Sequence, residues 1–280
     1  MAHAIRVHKY GGPEAMSYEA VDVGAPGAGQ VKLKQHAIGV NFIDVYQRTG
    51  LYPQPSMPFT PGNEGAGEVT AVGEGVTDLK VGDRVAYAGA IGAYADERLA
   101  PADKLVKLPD AIPYETGAAM MLQGMTVQYL LRRTYKVGPE TTLLMHAAAG
   151  GIGLIACQWA KHLGATIIGT ASSDEKCALA KAAGATHMIN YKTENFVERV
   201  NQITGGKKCD VVYDSIGKDT FPASLDCLKP LGLFVTFGNA SGPIDAFNAG
   251  ILAAKGSLYM TRPTLNTYTA TRSDLLATAK

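Results

Sequence analysis

Hydrophobic and polar positions change rhythm part-way along the chain. Over residues 1–100, short β-branched and apolar runs (AIRVHKY, QVKLKQHAIGV, GAGEVTAVG, DRVAYAG) alternate or break about every 8–12 residues, the spacing of small antiparallel or barrel-like β structure. Gly11-Gly12-Pro13, Pro26-Gly27 and Pro61-Gly62-Asn63 punctuate these runs as turns. After about residue 115, strand-like and helix-like runs alternate instead. TTLLMHAAA is followed by GLIACQWAKHLGA, ATIIGTA by SDEKCALAKAAGA, HMINY by TENFVERVNQITGG, CDVVYDS by DTFPASLDCLKP, GLFVTFG by DAFNAGILAAKG, and SLYMTRP comes last. Five β–α crossovers and a sixth strand predict a doubly wound parallel sheet, with strands apolar throughout because helices cover both faces. Thr193-Glu194-Asn195 opens one helix, and Gly164, Gly184 and Gly205 close three. The expected class is α/β.

Composition narrows the function classes. Of 280 residues, 46% are hydrophobic and 18% charged, enough for a large core and too few charges for disorder. Lys plus Arg is 26 and Asp plus Glu is 25; the net +1 supplies no general pull toward nucleic acid or an anionic membrane. No apolar run reaches the ~18 residues of a spanning helix. MAHAIRVHKYGG has no apolar segment of signal-peptide type. Cys157, Cys177, Cys209 and Cys227 form no CxxC pair, and the six histidines form no HxxxH pair. A reduced, cytoplasmic chain is expected, with Cys157 and Cys209 as packing residues and Asp83-Arg84 as part of a scaffold ion pair.

The strongest local signal is Ala147-Ala148-Ala149-Gly150-Gly151-Ile152-Gly153, which follows the strand Thr142–Met145 and opens a helix. A dinucleotide fingerprint needs this setting: Gly150 and Gly151 let the backbone approach a pyrophosphate, and Gly153 lets helix and strand pack closely. The helix N-terminus then offers N–H groups and a positive dipole end. The second strand ends Gly169-Thr170-Ala171-Ser172-Ser173, with no acid where an NAD-preferring site puts one. Ser172 and the nearby Lys176 suit a 2′-phosphate, and Tyr191 after the third strand lies near it in the pattern. On the residues alone, Lys176 as a solvated helix residue stays open.

Taken together, these motifs resemble the medium-chain dehydrogenase/reductase superfamily, and more closely the zinc-free, zeta-crystallin-like NADPH:quinone oxidoreductases. The carriers are Val40-Asn41-Phe42-Ile43-Asp44, Pro61-Gly62-Asn63-Glu64-Gly65-Ala66-Gly67, Gly124-Met125-Thr126, Ala147 to Gly153, Lys176, Tyr191, Tyr213-Asp214-Ser215, Phe237-Gly238-Asn239 and Thr261-Arg262-Pro263. The resemblance implies a GroES-like β-rich catalytic domain over 1–122, a Rossmann domain over 123–265, and 266–280 as the start of a C-terminal return to the first domain. Relatives extend past Lys280, so a natural short form and a fragment are both open.

In the zinc-dependent branch, metal ligands would fall at Asn41, Asn63 and near Leu122. Amides and an aliphatic side chain do not suit zinc, so no metal is expected. Without a Lewis acid, a conjugated acceptor is the better hydride partner, since it delocalises the developing charge itself. The resemblance implies NADPH held by Asn41, Phe42, Ile43, Asp44 and Val45 near the nicotinamide ribose, and by Thr126 and Tyr129 beside the pyrophosphate. Gly150, Gly151, Ile152 and Gly153 form the glycine turn. Ser172, Lys176 and Tyr191 would meet the 2′-phosphate, and Ser215 the adenine side. Phe237, Gly238, Asn239, Thr261, Arg262 and Pro263 would flank the nicotinamide. Tyr46 and Tyr52 are candidate hydrogen-bond or proton donors to a developing oxyanion, with solvent as the alternative. The expected reaction is reduction of a quinone or activated enone. Alkenal or enoyl reduction, and a non-catalytic NADPH-binding role of the crystallin kind, are the alternatives. A homodimer is expected, with the last strand, Ser257–Met260, at a sheet edge.

Overall fold

The computed structural model describes residues 1–280 and divides into two units, Met1–Met125 with Tyr268–Lys280, and Thr126–Thr267. The first unit opens with an antiparallel pair, β1 (Ala2–Val7) and β2 (Met16–Val21). There follow β3 (Gln30–Gly39), α1 (Phe42–Thr49), β4 (Glu64–Val72), β5 (Arg84–Ala88), β6 (Glu97–Pro101) and β7 (Val106–Lys107). These last five strands form one antiparallel sheet in the order β6-β3-β4-β5-β7. Alternate residues Val31 and Leu33 of β3, and Val85 and Tyr87 of β5, turn one way and pack with Val69, Leu79 and Leu105 as a core without solvent access. The β3–β4 ladder shifts register at Lys32/Leu33 and at Gln35/Ala37, then ends with Gly39 opposite Glu64. That ending brings Asn41, on the way into α1, and Asn63, on the way into β4, to one end of the sheet.

The helix α2 (Tyr114–Tyr129) runs on into a π-helical turn at Leu130–Thr134. The turn has a visible cause: the Leu130 carbonyl accepts from the buried Tyr213 hydroxyl at 2.9 Å and from the Tyr135 N–H at 3.2 Å.

The second unit continues with β8 (Thr142–Met145), α3 (Gly151–His162), β9 (Thr166–Ala171), α4 (Asp174–Ala183) and β10 (His187–Asn190). It is completed by α5 (Phe196–Thr204), β11 (Cys209–Asp214), β12 (Leu228–Thr236), α6 (Gly250–Ala254) and β13 (Tyr259–Thr261). Its six strands are parallel in the order β10-β9-β8-β11-β12-β13, the doubly wound arrangement expected from the sequence. Leu144, Ile168, Ile189, Val212 and Phe234, one from each of five strands, meet in its core.

Three details depart from expectation. The fourth crossover is a 3-10 turn, Ala223–Cys227, rather than an α-helix. The last strand begins at Tyr259 instead of Ser257, because Ser257 adopts a left-handed backbone (φ 54°) that no strand accommodates. Asp83 pairs with Lys80 (2.9 Å) and Lys107 (3.0 Å), while Arg84 lies 3.8 Å from Asp110 and stacks over the Tyr114 ring.

After α7 (Leu265–Tyr268) the chain returns to the first unit as α8 (Arg272–Ala279). Thr271 caps α8, and Leu275 is buried. Arg272 donates to the Asp103 carbonyl (3.1 Å), to the Leu105 carbonyl and to Asp78 (2.9 Å). No helix is long and apolar enough to cross a membrane.

Candidate active site

In the first unit the site residues enclose a hydrogen-bonded network. The Asp44 carboxylate accepts from the Asn41 N–H and the Tyr94 hydroxyl, both at 2.9 Å, and from Asn63 Nδ2 at 2.7 Å. Asn63 also exchanges hydrogen bonds with Gln47: its Nδ2 donates to Gln47 Oε1 (2.7 Å) and its Oδ1 accepts from Gln47 Nε2 (3.3 Å). Asp44, Gln47 and Asn63 are all buried. Beside them Glu64, 1% exposed, accepts from Asn41 Nδ2 (2.8 Å) and from the Leu122 N–H (2.7 Å). Burial raises the Glu64 carboxyl above its ordinary value, and these two hydrogen bonds oppose the rise. The Tyr94 phenol is raised too, by burial and then by the negative Asp44 beside it.

Asn41 and Asn63 therefore commit amide N–H groups to carboxylates. Leu122 contributes only its main-chain N–H. No three His, Cys, Asp or Glu side chains converge in a metal-holding arrangement. Amide nitrogens and an aliphatic side chain make a donor set unsuited to zinc. Tyr46 and Tyr52, joined by the Tyr52 N–H to the Tyr46 carbonyl at 3.0 Å, lie edge to face with ring centroids 5.2 Å apart; Phe42, 62% exposed, tilts 6.2 Å from Tyr46. Ile43 and Val45 are half-buried. The Asp44 side chain points into the network and serves to hold its segment in place.

The second unit reverses direction between β8 and β11, and the strand ends there define the crevice where such sheets bind ligands. Ala147 turns the chain with a left-handed backbone (φ 51°), and the Gly150 N–H closes the turn on the Ala147 carbonyl at 2.9 Å. A Cβ on Gly153 would stand 2.5 Å from the Ala148 carbonyl oxygen and 2.6 Å from that of Ala147, so only glycine allows α3 to start this close. No side chain caps α3, whereas Ser173 and Asn195 cap α4 and α5. An uncapped helix start behind a glycine turn fits a pyrophosphate.

At the end of β9, Lys176 Nζ lies 3.4 Å from Ser172 Oγ. Tyr191, half-exposed just after β10, is held alongside by its N–H to the Ala171 carbonyl (3.1 Å). Asp174, the nearest acid, accepts instead from Asn190 Nδ2 at 2.8 Å. A hydroxyl and an ammonium thus gather where β9 ends without a carboxylate, with the Tyr191 backbone tied to the same strand end, a composition that fits a phosphate ester. On the other side of the switch, the loops after β11 and β12 interlock: Gly238 packs on the Ser215 backbone, and the Ala240 N–H donates to the Ser215 carbonyl (3.1 Å). Arg262 Nη1 donates to Thr236 Oγ1 (2.8 Å) and to the Gly238 carbonyl (3.0 Å), which fixes Phe237-Gly238-Asn239 between β12 and the Thr261-Arg262-Pro263 segment. Thr126 and Tyr129 are buried on α2. Cys157, Cys209 and Cys227 are buried, and burial pushes the Cys157 thiol up to about 11 and that of Cys227 to about 12.

A doubly wound sheet with an uncapped glycine turn at its switch point, joined in one chain to a unit whose metal positions carry amides, defines a zinc-free dinucleotide-binding oxidoreductase scaffold. Residues 151–275 match the zinc-binding dehydrogenase family, and residues 27–110 match the alcohol dehydrogenase GroES-like domain. The chain is 56% identical over 280 residues to a quinone oxidoreductase of Pseudomonas aeruginosa, covering all of this chain and 86% of that protein. It is 50% identical over 283 residues to a 2-haloacrylate reductase of Burkholderia sp, covering 98% of this chain and 85% of that one. The crystal structure of Escherichia coli quinone oxidoreductase complexed with NADPH superposes with a TM-score of 0.97 at 52% identity, over 99% of this chain and 85% of that chain. The chain belongs to the quinone oxidoreductase family of the medium-chain dehydrogenases/reductases.

The sequence motifs do not single out Gln47, Tyr94 or the partnerships of Glu64. Gln47 follows Asp44 by one helical turn and Glu64 adjoins Asn63, so both carry a local signal. Tyr94 is fifty residues from Asp44 and carries none.

Proposed function

We propose that this chain is an NADPH-dependent quinone oxidoreductase that reduces a quinone or related activated enone without zinc. The observation that carries the reading is the amide and carboxylate network at Asn41, Asp44, Asn63 and Glu64, which occupies the metal positions with groups already bonded to one another. NADPH, when bound, supplies the hydride. The turn Gly150 to Gly153 and the start of α3 hold the pyrophosphate with main-chain N–H groups. Ser172, Lys176 and Tyr191 take the 2′-phosphate, and Ser215 borders the adenine. Asn41 to Val45, Thr126, Tyr129, Phe237 to Asn239 and Thr261 to Pro263 border the ribose, pyrophosphate and nicotinamide. Residues 123–265 are the nucleotide domain, and residues 1–122 with 266–280 the catalytic one. Tyr46 or Tyr52 donates a hydrogen bond to the oxygen of the acceptor, whose own conjugation spreads the developing charge.

The test is NADPH oxidation with 1,4-benzoquinone and 9,10-phenanthrenequinone, with and without a chelator. Turnover that the chelator leaves unchanged supports the reading, and no turnover with either quinone from folded protein ends it. Lys176→Ala should lower the NADPH over NADH preference about tenfold, the worth of one hydrogen bond to a charged group. An unchanged preference removes Lys176 from the phosphate site. A second reading rests on the 2-haloacrylate reductase relative: reduction of an activated alkene on the same scaffold. The ratio of kcat/KM for alkenes and quinones decides between them. We place the protein in the cytoplasm as a homodimer, paired through β13, which lies at a sheet edge with Tyr259 62% exposed. Sedimentation at micromolar concentration tests the pairing.

A further inference from the structure

We propose that His146 is a positioning residue for the nucleotide, acting by clamping the glycine turn from beneath. This rests on the nucleotide reading above and assigns a residue that is buried beneath the turn. His146 follows β8 directly and is 2% exposed. Its main-chain N–H continues the β8–β11 ladder to the Tyr213 carbonyl at 3.0 Å. Its ring reaches two other segments: Nδ1 lies 3.0 Å from Thr170 Oγ1 in β9, and Nε2 lies 2.9 Å from Ser224 Oγ in the 3-10 turn. The ring of Phe196, from α5, closes the space edge-on at 5.1 Å.

A neutral imidazole carries one N–H and one bare nitrogen, and the Thr170 and Ser224 hydroxyls can each donate or accept, so either neutral tautomer pairs both ring nitrogens. The Ser224 hydroxyl also lies 3.0 Å from the Thr220 carbonyl and 3.5 Å from Asp214 Oδ2. Burial lowers the His146 pKa and so keeps the ring neutral, although Asp214 pulls the other way.

The placement is what gives the ring a role. Thr170 holds both neighbours of the strained residue Ala147: its hydroxyl meets the His146 ring, and its carbonyl accepts the Ala148 N–H at 3.0 Å. Ala147 (φ 51°) is pinned between these two bonds in a backbone conformation that costs any residue but glycine. That conformation aims the chain into Gly150–Gly153 and α3. The same imidazole also links the end of β9, which leads to Ser172 and Lys176, to the turn that braces Asp214. Asp214 in turn accepts the Ile216 N–H (2.7 Å), the Gly217 N–H (3.0 Å) and the Thr220 hydroxyl (2.6 Å) just after Ser215. Residue 146 therefore joins the ends of three strands: β8 by its place in the chain, β11 through its main-chain N–H and β9 through its ring, which also reaches the 3-10 turn.

The test compares His146→Leu, His146→Gln and Thr170→Val with wild type by calorimetric titration of NADPH and NADH, alongside quinone KM and melting temperature. The leucine variant should weaken both nucleotides about tenfold, since the turn is common to both, with quinone KM unchanged. Thr170→Val, which cuts only the Thr170 arm, should shift nucleotide affinity the same way by a smaller factor. His146→Gln, whose amide supplies a donor and an acceptor, should recover part of the loss. A lower melting temperature with unchanged NADPH affinity in both His146→Leu and Thr170→Val overturns the proposal. Should the leucine variant not fold, an unchanged NADPH affinity in Thr170→Val overturns it alone. Wild-type protein that binds no NADPH removes the nucleotide reading and this proposal together, so the two failures are distinct.

Discussion

The two units treat their polar site residues in opposite ways. In the first, Asn41, Asp44, Gln47, Asn63 and Glu64 direct their hydrogen bonds at one another, and Tyr94 and the Leu122 N–H complete the set. In the second, α3 begins without a capping side chain while α4 and α5 are capped, and the 2′-phosphate candidates Ser172, Lys176 and Tyr191 lie at least partly open to solvent. A buried cluster of polar groups closes on itself, because such groups left unpaired are costly. A helix start proposed to receive an anion leaves its donors uncommitted.

That contrast is open to direct attack. Gly153→Val should have the largest effect. Its new carbons meet two main-chain carbonyls that cannot swing aside, and NADPH affinity should fall by about 100-fold, about 2.7 kcal/mol. Calorimetric titration measures this, and near-normal binding would contradict the account of the turn. Asn63→Leu should strike the closed network instead. It deprives the buried Asp44 and Gln47 of a shared partner, which should cost about 3 kcal/mol of stability in a denaturant titration.

Glu64→Gln should cost less, about 1–2 kcal/mol, since Asn41 and Leu122 bond the two different carboxylate oxygens and the glutamine NH2, in place of either oxygen, would meet a donor. It also changes the pH dependence. The folded state holds the Glu64 proton more tightly than the unfolded chain, where the value is 4.5, so this group favours folding most at low pH. That contribution declines as pH rises through the raised folded value. The glutamine variant should lack this decline when stability is followed from pH 4 to 8.

The smallest effect lies outside both sites. Asp83 sits at about 2 in the folded protein against 3.8 unfolded, chiefly because Lys80 and Lys107 bond it. Its stabilisation is present above the unfolded value and is lost as pH falls toward the folded one. Because both lysines are largely exposed, Asp83→Asn should change stability by less than about 1 kcal/mol, with the difference vanishing below pH 2.

Much of the second unit was legible before folding. Short apolar runs that alternate with longer helical patterns read as covered strands, and Gly150–Gly153 announces its turn through spacing after one of them. The exceptions are local conflicts. The fourth crossover shortens to a 3-10 turn and the left-handed Ser257 delays the start of the last strand, and neither disturbs the apolar pattern that periodicity detects. The first unit was legible as β structure, but its site was visible only as a list of substitutions at metal positions. Sequence spacing shows Asn41 and Asn63 without showing what they bond.

Local order along the chain settled the parallel sheet, the glycine turn and the missing acid after β9, because period, cap and turn chemistry act between near neighbours. Folding alone decided that Tyr94 would reach Asp44, that Arg272 would reach Asp103 and Leu105, and that the imidazole of residue 146 would meet Thr170 and Ser224. Those contacts join residues 24 to 169 positions apart, and only the packing of whole elements determines which buried polar atoms find one another.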